Sequence, residues 1–397
     1  MNSFTLRAGW LLPIDRPPIE GGYVAVTDGI ITAVKASDPG ESSVTDLGDV
    51  VLLPGLVNAH THLEFSGLAR PLGSPGMSLP AWIRSVIADR GRSNRDAAAA
   101  IAAGLRESQT AGVVAIGEIA TAAAGCYTLT AMPRTVLFQE AIGFSAGRVD
   151  SVYGDMEQRL TAAGAHVGVS PHAPYTVHPR LLERLIELAT TRGLPVAMHL
   201  AESPEELRFL LEGDGPFREL LEERSMWDDS AIPRGTRPLD YMRRLAAAPR
   251  SLVIHGNYLD DEEIDFAAKH RSQMSVVFCP RTHAYFGHPT YPLQAMIDAG
   301  VRVALGTDSR ASNPDLNLLS ELRFAARVFP AVDPRRLLEM ATLDGAVALG
   351  LDEAHGSLSV GKGAELISIP CGAEPQDPYA AILHGVDSAT VVNSQAS

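Results

Sequence analysis

The sequence predicts a parallel (β/α)8 barrel of the TIM type, an α/β fold, with a small β-sandwich domain that both ends of the chain build together. Three observations carry that expectation. Eight strand-like apolar stretches recur through the middle of the 397 residues, most of them separated by Ala/Leu/Arg/Glu-rich stretches of helical composition. No GxGxxG turn follows the first of them, which disfavours the rival open, doubly wound sheet. The two ends read differently, as short β segments broken by Gly, Pro and Asp. Barrels commonly occupy about 250 residues as one domain. The chain therefore divides into residues 1–54 and 353–397 as the β domain and residues 55–352 as the barrel.

In chain order, Tyr23–Val26 and Ile30–Val34 are the clearest β segments of the N-terminal end. The eight barrel strands are expected at Val50–Glu64, Val113–Ala120, Thr135–Gly143, His166–Ala173, Pro195–Glu202, Ser251–Leu259, Met274–Pro280 and Val301–Ser309. Ala97–Ala103 is a run of good helix formers and most simply an outer barrel helix. The long connection Pro204–Arg250, between the fifth and sixth strands, has the length of a substrate-covering loop. Glu365–Ile369 and Thr390–Val392 return the chain to the β domain.

Lys and Arg number 33 against 47 Asp and Glu, a formal charge of −14. Such a surface repels phosphate backbones and anionic headgroups, so a small-molecule substrate is expected and nucleic-acid and membrane partners are disfavoured. No window reaches the ~18 uninterrupted apolar residues of a bilayer span. The opening MNSFTLRAGWLLPIDRPPIEGG lacks the apolar core of a secretory signal. Cys126, Cys279 and Cys371 are few, odd in number and far apart, which suits a reducing compartment and a cytoplasmic location. Assembly as a homodimer stays open.

Catalytic groups of a parallel barrel sit where its strands end. The first strand finishes with His60, His62 and Glu64, which share one side by the two-residue period of a strand. The fourth ends at His172, the fifth at His199 and Glu202, the sixth at His255, the eighth at Asp308. Any one of these histidines alone reads as a satisfied buried residue; their convergence on one face does not. Imidazoles from His60, His62 and His199 with the Asp308 carboxylate supply the donors that suit Zn²⁺ or Fe²⁺ and leave room for a water. A cation there lowers the pKa of that water from about 15.7 toward ~7, making hydroxide near neutral pH. Asp308 is placed to take the proton, His255 to orient the hydroxide, and Glu202 to protonate a leaving amine.

The segments PGLVNAHTHLE, HLAES, IHGN and GTDS, in this order over some 250 residues, resemble the amidohydrolase superfamily, in its mononuclear deaminase and chlorohydrolase branch. The resemblance spans nearly the whole chain. It implies metal ligands at His60, His62, His199 and Asp308, a proton-shuttling Glu202, a water-orienting His255, and a barrel with a β-sandwich from both termini. The chain has only Lys35, Lys269 and Lys362, none at a barrel strand end, so a lysine bridging two metals is lacking and one metal is expected. No CxxC occurs, which excludes the zinc deaminases built on that motif.

Candidate substrate contacts follow. Glu64 either reaches the pocket or steadies a ligand imidazole. His172, in SPHAPYT, resembles the substrate-contacting histidine of nucleoside deaminases, or is structural. HTHLEFSG followed by the Trp82–Ile87 stretch resembles aminodeoxyfutalosine deaminases; Trp82 and Val86, four apart on a helix, line a pocket mouth or pack in the core. Arg310 and Arg148 are candidates to clamp a substrate carboxylate, or are solvated loop residues. CPRTHAYFGH departs from the CPxSN pattern of this branch, which marks His283, with His288 nearby, as a candidate for a different polar specificity. The expected reaction is hydrolytic deamination of an aminated heterocycle, a purine or adenosine-type nucleoside such as aminodeoxyfutalosine. A chlorohydrolase or cyclic amidohydrolase would use the same water, although chloride needs no acid such as Glu202. A non-catalytic scaffold on the same barrel is the third alternative.

Overall fold

Eight parallel strands close around one axis in the computed structural model, which describes residues 2–38, 43–92, 96–127, 133–163, 166–372, 377–385 and 389–392. They are β1 (Leu56–Thr61), β2 (Val113–Ala120), β3 (Arg134–Ala141), β4 (Val167–Pro171), β5 (Val196–Leu200), β6 (Ser251–His255), β7 (Met274–Phe278) and β8 (Val303–Leu305). Each is hydrogen-bonded in parallel to the next, and a parallel bridge between Thr61 and Asp308 brings the last back to the first. The expected (β/α)8 barrel is the fold. Its strands read as unbroken apolar runs because both of their faces are covered; every residue of β1, β2 and β4–β8 is buried. Leu137, Val169, Val196, Met198, Val253 and Val276 share one core with Leu182, Leu185, Met242, Ile264 and Leu322 of the surrounding helices. The alanine run lies in one of those helices, Ala97–Thr110, capped by the Asp96 side chain on Ala99 N–H.

Two smaller sheets lie outside the barrel. One runs in the order Ile30–Lys35, Tyr23–Thr27, Ser3–Arg7, Val44–Asp46; the other in the order Thr390–Val392, Leu366–Pro370, Val50–Pro54, Trp10–Leu11, Ile19–Glu20. Leu6, Val24, Val26 and Ile31 of the first share a core with Leu11, Leu52 and Leu366 of the second. Of the C-terminal segment 353–397, residues 373–376, 386–388 and 393–397 lie outside the described residues.

Two expectations change. Val50–Glu64 is not one strand: Val50–Pro54 pairs with Leu366–Pro370, and only Leu56–Thr61 enters the barrel. The break is at Gly55, where a Cβ would lie 2.1 Å from Val114 Cγ1, so a side chain cannot fit between the two sheets. Pro204–Arg250 is not an open loop but carries helices Pro204–Glu212, Pro216–Glu223 and Pro238–Leu245. Each begins with proline in its first turn, Ser203 caps the first, and Gly213 in the left-handed region ends it. Among the described residues no helix is long and apolar enough to cross a membrane.

Candidate active site

Barrel closure brings the first and eighth strands together at their C-terminal ends. Thr307 and Asp308 N–H both donate to His60 O at 3.1 Å, and Thr61 Oγ1 donates to Asp308 O at 3.0 Å. Asp308 Oδ1 thereby stands 3.6 Å from His60 Nε2 and 3.7 Å from His62 Nε2. His199, the penultimate residue of β5, places Nε2 3.3 Å from His62 Nε2. Donor atoms of His60, His62 and Asp308 lie within 4.8 Å of one another, as do those of His60, His199 and His255. Ala201, His255 and Asp308, just beyond or at the ends of β5, β6 and β8, hold left-handed backbone with φ of 53°, 71° and 55°. Such strain in non-glycine residues gathers at sites that need side chains aimed against strand geometry.

The chemistry of these donors fits a divalent cation. Both ring nitrogens of His60 are buried without a hydrogen-bond partner among the described residues. His199 Nδ1 sits 3.0 Å from His172 O; a carbonyl only accepts, so Nδ1 carries the proton and Nε2 is left with a free lone pair, 3.3 Å from His62 Nε2. Burial, more than the neighbouring imidazoles, pushes His62 and His199 well below the ordinary histidine range and keeps them neutral. Burial opposes ionisation of Asp308, but the surrounding imidazoles of His60, His62 and His255 outweigh it and hold the carboxyl below its usual range. Neutral nitrogen lone pairs and one carboxylate facing a common centre are a divalent-metal donor set. Ser312 Oγ donates to Asp308 Oδ2 at 2.9 Å and is itself 3.0 Å from Thr282 Oγ1, which fixes the carboxylate plane.

Glu202 adjoins this cluster. Its Oε1 is 3.4 Å from His255 Nε2, and burial, with the charges of Asp308 and Glu206 adding to it, raises the carboxyl well above its usual range. The turn that carries it is tied down: the Glu206 carboxyl accepts the N–H groups of Ala201 and Glu202 at 2.9 Å each, and Asn257 Nδ2 donates to Glu202 O at 2.9 Å. His255 is lowered by burial to about 3 and is neutral.

A cavity of about 300 Å³ opens on these groups; His62, His172, His199, Glu202, His255 and Asp308 are in its wall, with Phe65, Leu79, Trp82, Ile83, Val86, Leu220 and Met226. His172 and Trp82 thus reach it, and Trp82 Nε1 donates to Ala311 O at 3.2 Å. Four of the six candidate substrate contacts are not among the residues of its wall. β1 ends at Thr61 and Leu63–Gly67 is a 3₁₀ turn, so Glu64 leaves the strand face and pairs with Arg90. Arg148 is exposed on the loop after β3. Arg310 turns to Glu107 at 2.8 Å. His283 lines a separate cavity of about 220 Å³ beside His288, whose Nδ1 meets Tyr258 OH at 2.9 Å. Sequence reasoning missed Arg90, Glu140, Tyr175 and Arg224 in the wall of the main cavity. Glu140, an acid one residue before the end of an apolar strand, carried the same signal as His199.

The model of the Amidohydrolase family matches residues 51–394. The aminodeoxyfutalosine deaminase of Deinococcus radiodurans is 33% identical over 364 residues, covering 83% of this chain and 81% of that protein. A 5-methylthioadenosine/S-adenosylhomocysteine deaminase of Moorella thermoacetica is 29% identical over 428 residues, covering 99% and 93%. The crystal structure of a zinc-bound adenosine deaminase from Xanthomonas campestris superposes with a TM-score of 0.78 at 26% identity, over 98% of this chain and 91% of that one. With a barrel whose histidines and aspartate converge at one strand-end face, and a family match that runs from the second terminal sheet through the barrel, this chain belongs to the amidohydrolase family.

Proposed function

We propose that this chain is a hydrolytic deaminase of adenosine-type nucleosides, with His60, His62, His199 and Asp308 holding one divalent cation. The observation that carries the reading is the buried Glu202, its carboxyl raised well above the usual range by burial, 3.4 Å from His255 and set against that donor cluster at the wall of a largely apolar cavity. A cation held there supplies a Lewis acid that makes water nucleophilic near neutral pH; the zinc-bound relative supports zinc as its identity.

The rest of the chemistry belongs to the chain. The apolar wall of Trp82, Val86 and Leu220 takes the heterocycle and excludes bulk water. Neutral His255 orients the water against the carbon that bears the amino group. Glu202 donates its proton to the adjacent ring nitrogen as the C–O bond forms, and Asp308 accepts a proton from the water and returns it to the amino group. The C–N bond then breaks and ammonia leaves; the remaining proton of the added hydroxyl passes to the Glu202 carboxylate as the carbonyl forms, which restores the acid for the next turnover. The named activities of the relatives favour a 6-aminopurine nucleoside with an extended 5′ substituent, aminodeoxyfutalosine first.

Ammonia release by zinc- or iron-loaded protein, followed over aminodeoxyfutalosine, 5′-methylthioadenosine, S-adenosylhomocysteine, adenosine, guanine and cytosine, tests this. The nucleosides should be deaminated and the free bases not. His199→Ala should lose both bound metal and turnover. Full turnover in that variant, or ammonia from none of the nucleosides, would overturn the proposal.

A further inference from the structure

The wall of the main cavity holds a polar pair to which the mechanism above gives no task. Glu140, penultimate in β3, has a carboxyl only 8% exposed. Among the described residues no donor hydrogen-bonds to it: His172 Nε2 stands 3.9 Å from Oε1, beyond bonding distance. Nearby cations are committed elsewhere, Arg90 to Glu64, and Arg159 to Asp155 at 2.9 Å and to the backbone oxygen of Glu140. The other buried acids around the site are occupied, Glu118 by Leu63 N–H and Tyr127, Glu206 by two backbone N–H groups. A buried carboxyl left without partners is costly unless whatever fills the cavity supplies donors.

His172 has the same need. Thr176 Oγ1 donates to Ala173 O at 3.2 Å and lies 2.7 Å from His172 Nδ1, so it accepts the Nδ1 proton and leaves Nε2 as a bare acceptor on the cavity side. Two acceptors 3.9 Å apart call for two donors on adjacent atoms of one ligand. A cationic ligand would meet the Arg90 guanidinium in the same wall; two neutral hydroxyls would not.

We propose that Glu140 and His172 form a subsite for a pair of neighbouring hydroxyls, the vicinal diol of the nucleoside's sugar; this rests on the deaminase reading above. Wild-type and Glu140→Leu proteins, metal-loaded, are compared on the ribo and 2′,3′-dideoxy forms of one 6-aminopurine nucleoside. Wild type should favour the ribo form in kcat/KM by about tenfold to a hundredfold, the combined worth of the two hydrogen bonds that the dideoxy form cannot make. In Glu140→Leu that ratio should fall toward one through a higher KM for the ribo form, and a thermal melt on the same sample shows that the variant is folded. Glu140→Gln keeps one acceptor oxygen and should retain part of the preference; it carries the test should the leucine variant not fold. A preference unchanged in an active variant, or absent from wild type, overturns the subsite. A wild type inert on both nucleosides overturns the deaminase reading and the subsite with it, and that failure shows before any substitution is made.

Discussion

Replacing Glu202 by Gln keeps side-chain volume and one acceptor oxygen but deletes the transferable proton. Burial raises the carboxyl well above its usual range and so favours its uncharged form, which the amide matches next to His255, 3.4 Å away. The backbone around it is held by Glu206 and Asn257, neither of which changes. Stability should therefore move by less than about 1 kcal/mol. Glu202 is outside both clusters of converging donors, so metal content should match wild type. Rate should not: loss of a positioned acid costs about 10²–10⁴ in turnover, or about 3–5 kcal/mol of transition-state stabilisation. The assay is ammonia release under saturating nucleoside, with metal content by mass spectrometry and a thermal melt on the same sample. Turnover within tenfold of wild type, in a folded and metal-replete Glu202→Gln, would refute the assignment of Glu202 as the acid.

Ser312→Ala removes the hydrogen bond that fixes Asp308 Oδ2, and should weaken metal affinity by about 10–100-fold, read by competition with a chelator; unchanged affinity would show that Asp308 needs no such support. Stability of the metal-free protein should fall as pH drops from about 6.5 to about 4. Burial lowers His172 and His255 to about 3 and His283 and His288 to about 4, so the unfolded chain binds more protons than the folded one in that window. Glu118, Glu140, Glu202, Glu206, Glu263, Glu321 and Asp344, raised by burial, act the other way, but burial also lowers His62, His178, His199 and His355, which leaves the histidines in a narrow majority and the expected slope shallow; a melting temperature that rises on acidification would contradict the sign.

The barrel was legible because parallel strands buried on both faces must be continuous apolar runs, and each of the eight stretches proposed from sequence overlaps an observed strand. The converging donors were legible because a histidine or aspartate that closes such a run has few places to go but the barrel mouth. What failed depends on long-range pairing or on where a strand stops. Period-two alternation put Glu64 beside His60 and His62, but the chain turns after Thr61, and Arg90 from a helix 26 positions later takes the carboxylate. Arg310 looked free, yet Glu107, 203 positions away on the helix Ala97–Thr110, lies beside it once the barrel closes. The three helices within Pro204–Arg250 had local signals, a serine cap and prolines in first helical turns, that a reading for loop length passed over.

Least visible in sequence is how the converging side chains are held. Left-handed backbone at Ala201, His255 and Asp308 costs of order 1–3 kcal/mol per residue and persists only where its surroundings over-determine it. Buried carboxyls that ligate nothing supply that constraint. Glu118 takes Leu63 N–H at 2.9 Å, fixing the residue after His62; Glu206 holds the turn of Ala201 and Glu202. Glu321 takes Arg281 N–H at 2.9 Å and the Asn313 amide, fixing the neighbours of Thr282 and Ser312 that orient Asp308. Each clamps backbone one residue from a functional side chain. Much of the acidity buried in the barrel thus serves to keep a few imidazoles and one carboxylate aimed at a common point before a cation or substrate arrives, which is why acids far from any reacting atom should matter to the rate.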